Sequence, residues 1–355
     1  MKRTALFAAL SLVLTAGSAL AQDKTATPAA PAKAATPTLK VGDAAPALAV
    51  TNWVKGEAIT GFEKGRSYVV EFWATWCGPC IASMPHLTEL QAEYKSKGLV
   101  IVGVSAKDPN NSLEAVTAMV KDKGDGMGYT VAYDADRATS DAYMKASGQR
   151  GIPCSFVVDT KGTIAYIGHP LFLDGVLEKV TAGTWNADKD GAAVKALQEE
   201  FFGVYSAGSP EAQLEKIDSL EKKAPKLAKN LLMIKYMAQM EKGDTAGASR
   251  TGSTIVDQAI KSKNAMELNS IAWGIVDPDG NVTNKDLDLA FRAAKAAVEI
   301  TQEKDGAILD TLARVYWLKG DKAKAIETQK KAVEHAEGDM KADLEKVLAE
   351  YTKGK

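Results

Sequence analysis

Two cysteines with two residues between them, Cys77 and Cys80, are the side chains best placed to do chemistry in this chain. They lie in the run Trp73-Ala74-Thr75-Trp76-Cys77-Gly78-Pro79-Cys80. A thiol attacks a disulfide only as the thiolate, and an ordinary cysteine is mostly protonated at neutral pH. A helix start supplies unpaired N–H groups and a partial positive charge, and both favour the anion. The run follows a β-branched and aromatic segment and opens a stretch of helical spacing. Cys77 is therefore expected at a helix N-terminus as an exposed nucleophile. Cys80, one turn on, is expected to be the more buried, resolving thiol that attacks a mixed disulfide. Pro79 suits the first turn, where an N–H has no intrahelical partner anyway. The competing reading is half of a zinc site, which needs a second pair of ligands at similar spacing. The three histidines, His86, His169 and His335, are far apart in sequence, and no metal is expected.

Three further positions bear on this chemistry. Glu71 interrupts an apolar segment, and alternation places it on the same strand face as Val69 and Trp73. A buried carboxyl has its pKa raised, and near Cys80 it could take and return the thiol proton. The competing reading is a strand-edge Glu in solvent. Gly151-Ile152-Pro153 precedes another strand, a place where a proline marks a tight turn and is sometimes cis. Cys154 follows directly. It reads either as a small buried hydrophobe or as an auxiliary thiol that exchanges with Cys80 or joins the pair in a soft Cu(I) site.

The elements that must position these residues alternate between strand and helix from about residue 39 to 183. Strands are expected at Tyr68–Trp73, Leu99–Val104, Tyr129–Tyr133, Ser155–Asp159 and Thr163–Gly168, with Thr160-Lys161-Gly162 as a hairpin turn. Helices are expected at Pro79 to about Lys97, Ser112–Lys121 with Ser112 as cap, Ala138–Ser147 stopping at Gly148, and Leu173–Val180. Such alternation predicts an α/β sandwich with helices on both faces of a mixed sheet. From about Thr184 the strands vanish, and residues 184–355 predict an all-α domain. Ala290 to Glu299 repeats as Ala325 to Glu334 at an offset of 35 residues. A helix–turn–helix unit of about 34 residues is the tetratricopeptide period, and the alternative is an unrelated helical bundle.

The motifs together resemble a family. EFWATWCGPC at 71–80, GIPCSFVVD at 151–159 and GTIAYIGHP at 162–170 are similar to the TlpA/ResA-like thiol–disulfide oxidoreductases of the thioredoxin superfamily. The resemblance covers about residues 39–183. It implies a thioredoxin-like fold, a cis Pro153 facing the disulfide, an Ile152 backbone that pairs with an extended substrate segment, and Glu71 at the family's buried acidic position. It implies that Trp76 flanks the nucleophile on the docking surface, while Trp73 packs beneath. Cys154 departs from the family, which commonly has a non-cysteine residue after that proline. His169, in the GHP segment, is expected to be solvent-exposed or to make a local hydrogen bond. The helical tail, with NSIAW at 269–273, resembles the repeat region attached to some of these redoxins.

Composition bounds the rest. A net charge of −1 argues against nucleic acid or an acidic membrane surface as partner. Lys2 and Arg3, the apolar run Ala5–Ala16 and the small residues of Ala19-Leu20-Ala21 predict a signal peptide over 1–21 and export to the periplasm. Residues 22–38, rich in Ala, Pro, Thr and Lys, predict a tether. The Gly78-Pro79 dipeptide resembles reducing thioredoxins, so a reductase of protein disulfides is expected, served by a membrane or periplasmic electron donor. No cofactor is expected. Gly124-Asp125-Gly126-Met127-Gly128 lacks the spacing of a dinucleotide fingerprint. Two other classes stay open. One is a scaffold whose helical repeats bind a partner. The other is a thiol peroxidase, although Thr75 stands two residues before Cys77 rather than the three such sites use.

Overall fold

The computed structural model describes residues 37–280 and 285–354. The segments read as signal peptide and most of the tether lie outside these residues. The first half is a thioredoxin-like α/β unit, and an all-α region follows it.

Six strands make one mixed sheet in the order β1-β4-β3-β2-β5-β6. They are β1 (Asn52–Lys55), β2 (Ser67–Trp73), β3 (Leu99–Ala106), β4 (Thr130–Asp134), β5 (Cys154–Val158) and β6 (Ile164–Gly168). β2, β3 and β4 are parallel neighbours, while β5 runs antiparallel to β2, and β6 and β1 are antiparallel edges. Every residue of β2 is buried, as its apolar run requires of a central strand covered on both faces. β1 was not expected. It is four residues long, lies at the edge and has polar ends, so it carries little alternation to read.

The pleat sorts side chains into two layers. Val69 and Trp73 of β2, Ile101 of β3 and Val157 of β5 face one layer, together with α1 (Gly78–Tyr94), α2 (Leu113–Lys123) and the helix α4 (Leu173–Thr181). Tyr68, Val70, Phe72, Val102, Val104, Cys154 and Phe156 face the other. That second layer is closed by a segment expected to be one helix over Ala138–Ser147. Instead a single α-turn, α3 (Ala138–Ser140), runs into a wider π-turn at Asp141–Lys145. The extra residue in that turn lets consecutive Tyr143 and Met144 both enter the core, where the Tyr143 ring meets Phe72 and Phe156 edge-on or tilted. Gly148, at φ +74°, ends the segment in the left-handed conformation that glycine adopts without strain.

Beyond residue 183 lie α5 (Ala187–Tyr205), α6 (Pro210–Lys223), the short α7 (Pro225–Ala228) and α8 (Leu232–Lys242). They continue as α9 (Thr245–Lys261), α10 (Ala265–Val276), α11 (Leu287–Ile300), α12 (Gly306–Leu318), α13 (Lys322–Glu334) and α14 (Gly338–Lys353). Side-chain caps open many of them: Asn186, Ser209, Asp244, Asn264, Asp286, Asp305 and Asp321 each accept a first-turn N–H. The residues that match at an offset of 35 fall on α11 and α13. Small residues let these helices approach closely. A β-carbon on Gly306 would stand 2.8 Å from the Ala332 carbonyl oxygen.

The first core does not stop at residue 183. Phe201 and Val204 of α5, Ile217 and Leu220 of α6, and Leu227 and Leu231 belong to the same buried cluster as Leu87 and Leu90 of α1 and Val176 and Leu177 of α4. Lys226 adds ion pairs to Glu93 at 3.4 Å and Asp174 at 3.3 Å. These are exposed and weak beside the apolar burial. A second core holds α9 to α12 together, rich in alanine at positions 290, 293, 294 and 297. Among the described residues no helix is long and apolar enough to cross a membrane.

Candidate active site

The site lies where the central strand β2 ends and α1 begins, at the carboxyl ends of the parallel strands. Open α/β sheets commonly bind ligands at that edge. Cys77 is the N-cap of α1, in extended conformation, with Gly78-Pro79 as the first helical residues. Cys77 and Cys80 form a disulfide. The backbone N–H of Cys80 points at Cys77 Sγ over 3.2 Å. The sulfur thus occupies the place an Asp or Ser oxygen takes in an ordinary N-cap, and it receives a donor the helix leaves free. A thiolate there gains that hydrogen bond and the helix dipole.

Cys77 was expected to be exposed. In the disulfide it is only 4% exposed, against 2% for Cys80. Its Sγ is tucked 3.8 Å from the carbonyl oxygen of Ile152. Trp76 beside it is the exposed group, at 56%. The Trp76 indole N–H donates to Asp108 at 3.0 Å. Trp73 is buried beneath, and its close approach explains the glycine within β3: a β-carbon on Gly103 would lie 3.0 Å from Trp73 Nε1.

Glu71 is fully buried, in β2 opposite Ser155 of β5. Burial pushes its carboxyl up to about 8, and a hydrogen bond from the Ser155 hydroxyl to Oε2 partly offsets the shift. Its other oxygen has no hydrogen-bond partner among the described residues. By the alternation of β2 it faces the layer that holds Cys80 and α1, not solvent. The Ile152–Pro153 peptide is cis. Ile152 is half-buried, packed against both layers, and Pro153 is buried.

Cys154 sits one residue on but faces away. It is a free thiol packed among Phe72, Tyr143 and Phe156 in the opposite layer. Burial first, and the Glu71 charge second, push it up to about 12. This placement favours the small buried hydrophobe over the auxiliary thiol, because a strand sends adjacent side chains to opposite faces. His169 is half-buried. Its Nδ1 accepts the Leu171 N–H at 3.2 Å, and burial lowers its pKa, so the ring is the neutral acceptor of a local hydrogen bond. Among the described residues no group of three or more His, Cys, Asp or Glu side chains is placed to hold a metal ion.

Residues 40–175 match the redoxin family. That match and the relatives below support a TlpA/ResA-like redoxin domain in the first half of this chain. Protein FixW of Rhizobium leguminosarum is 30% identical over 124 residues, which are 34% of this chain and 56% of FixW. The thiol-disulfide oxidoreductase ResA of Bacillus thuringiensis is 30% identical over 116 residues, 32% of this chain and 62% of ResA. The chain thus spans less than two thirds of the length of these relatives. A solved structure of a putative thiol:disulfide interchange protein DsbE from Chlorobium tepidum shares 26% identity, with 42% of this chain and 99% of that chain covered at a TM-score of 0.33.

Within the redoxin domain, Cys77, Cys80, Trp76, Ile152 and Pro153 come together at one edge of the sheet. Sequence reasoning missed the polar loop behind them. Asp108 and Asn111 stand between β3 and α2, and Asn111 is 1% exposed. The run Asp108-Pro109-Asn110-Asn111-Ser112 reads as a turn ending in a helix cap. Turn asparagines and buried asparagines are the same letter, so composition gives no warning.

Proposed function

We propose that this chain is a protein thiol–disulfide oxidoreductase that works as a reductase in the periplasm. The observation that carries the reading is the Cys77–Cys80 pair at the start of α1, with the Cys80 N–H aimed at Cys77 Sγ over 3.2 Å. In the reduced protein the Cys77 thiolate attacks one sulfur of a substrate disulfide. That S–S bond breaks as the mixed disulfide forms, and the departing substrate sulfur takes up a proton. Cys80 then gives its proton to ionised Glu71 and attacks Cys77 Sγ. The mixed bond breaks and the second substrate sulfur leaves and takes up a proton; the two electrons now sit on the substrate's thiols, and Cys77–Cys80 is left oxidised as a disulfide. A carboxyl near pKa 8 suits this task, because it both accepts and returns a proton close to neutral pH.

Substrate recognition falls to the exposed rim. Trp76 offers a flat apolar face, and the Ile152 N–H has no hydrogen-bond partner among the described residues, which leaves it free for an extended substrate strand. The signal-peptide pattern of residues 1–21 supports export. The Gly78-Pro79 dipeptide supports a low potential, nearer the roughly −270 mV of thioredoxin than the −120 mV of a strong oxidase. A membrane or periplasmic donor re-reduces the pair, and the tetratricopeptide-like helices after residue 184 bind a protein partner.

Trapping with Cys80→Ala tests the core of this reading. The variant should hold a stable mixed disulfide through Cys77, identifiable by mass spectrometry. A potential near that of strong oxidases would reverse the direction. A Cys77 thiol with ordinary reactivity at neutral pH would end the enzymatic reading.

A further inference from the structure

The loop that ends in Cys77 has no regular secondary structure of its own, yet it must hold the sulfur against the N–H of Cys80. One carboxamide behind it uses all its hydrogen-bonding capacity. Asn111 Oδ1 accepts the Thr75 backbone N–H at 3.0 Å and the Thr75 hydroxyl at 2.9 Å. Asn111 Nδ2 donates to Ser105 Oγ at 2.9 Å and to the Ala106 carbonyl at 2.8 Å. Two acceptor sites and two donor hydrogens are the full inventory of an asparagine side chain. Ser105 Oγ in turn donates to the Trp73 carbonyl at 3.1 Å, so both ends of the Trp73–Thr75 segment are tied to the end of β3.

Asn111 is itself fixed. Its backbone exchanges two hydrogen bonds with Asp108, at 3.3 and 3.1 Å, and its carbonyl accepts the Tyr133 hydroxyl at 3.1 Å. The same Asp108 holds Trp76 through the indole N–H. The tie reaches the sulfur in one step, because the Cys77 N–H donates to the Ala74 carbonyl at 3.1 Å, next to Thr75. The network is buried where Asn111 and Ser105 lie, so a removed partner leaves unpaired polar groups that only a shift of the loop can satisfy.

We propose that Asn111 is a positioning residue: it holds the Trp73–Thr75 segment in the one conformation that keeps Cys77 Sγ under the Cys80 N–H in the first turn of α1. Asn111 touches neither sulfur and acts through Thr75. The inference rests on the thiol chemistry proposed above. Without this tie the segment relaxes, the N–H no longer lines up on the sulfur, and the reduced protein has less thiolate at a given pH.

The test follows the alkylation rate of Cys77 against pH in the reduced full chain, alongside its urea midpoint. Asn111→Ala should lower the rate at pH 7 by about fivefold and move the midpoint of the pH curve upward, the size expected of one net hydrogen bond. Thr75→Ala removes only the hydroxyl donor and should move the curve the same way by less, which keeps the test alive if Asn111→Ala does not fold. Tyr143→Phe is the control. It removes one hydrogen bond, to the Pro46 carbonyl in the opposite layer, and should lower the urea midpoint while leaving the Cys77 curve in place. If Tyr143→Phe moves the Cys77 curve as far as Asn111→Ala does, general loosening explains the effect and the positioning role is overturned. A low wild-type curve that both Asn111→Ala and Thr75→Ala leave in place overturns it too, with the redox reading intact. A wild-type curve like that of a free thiol would remove the redox reading, and this inference with it.

Discussion

The two faces of the central sheet make opposite environments for sulfur from nearly adjacent backbone. Towards α1, Cys77 caps a helix and receives the N–H of Cys80. Towards the π-turn, Cys154 sits among Phe72, Tyr143 and Phe156, its pKa pushed up to about 12 by burial. Both thiol positions are buried, so burial alone does not separate a reactive sulfur from an inert one. The donors aimed at it do. The same alternation puts Glu71 on the reactive side and leaves the other side apolar and aromatic.

The widest gap between the faces should appear in turnover. Cys77→Ser should abolish reduction of a protein disulfide, a loss of at least about a thousandfold, since neither Cys80 nor Cys154 stands at the helix cap as the attacking sulfur. Cys154→Ser should stay within about twofold of wild type in the same assay, because its chemistry is on the wrong face. A large loss in Cys154→Ser, measured by reduction of an insulin-type substrate, would break the comparison.

Stability supplies the next contrast. The reactive face shares its core with the helices that follow residue 183, and Leu220 is fully buried there. Leu220→Ala should lower the unfolding free energy by about 2–5 kcal/mol, read from urea denaturation. It should do so for a tryptophan signal from the redoxin domain as well as for total helix content. Two separated transitions, with the redoxin one unmoved, would show that the shared cluster does not couple them.

Glu71 predicts a pH dependence confined to the same face. Its folded pKa of about 8 lies above the ordinary carboxyl value of 4.5. Between those values the folded state keeps a proton that the unfolded state releases, so stability falls as pH rises through the window and levels off above it. Glu71→Gln removes the titration. The variant should gain on wild type by up to about 5 kcal/mol from pH 4.5 to above pH 8, and a flat difference would contradict the burial. The smallest effect belongs to the other face. Cys154→Ala should cost about 1 kcal/mol, through lost packing alone.

Much of the site was legible before any coordinates. CGPC at a strand–helix junction carries its own chemistry in its spacing, and Glu71 announced itself as a charge in an apolar run. The hairpin at Thr160-Lys161-Gly162 and the Ser112 cap are local signals and were read as such. What stayed hidden depends on tertiary contact. Asn111 looks like a turn residue until Thr75 is beside it. The exposed Cys77 of the reading is a buried one because Ile152, distant in sequence, closes over it. The junction near residue 183 looked like a break because the pattern changes from strand to helix there, while the apolar faces of α5 and α6 give no sign of which surface they will cover.

That shared core has a consequence for the order in which the chain is made and moved. The sheet is complete at Gly168, but the cluster on its helical face is filled only when Leu231 has arrived. A growing chain therefore carries a finished sheet with one greasy side incompletely covered while α4 to α7 are delivered. During that interval apolar surface stays exposed, and a stall just after Thr184 would leave a sticky intermediate rather than a finished domain.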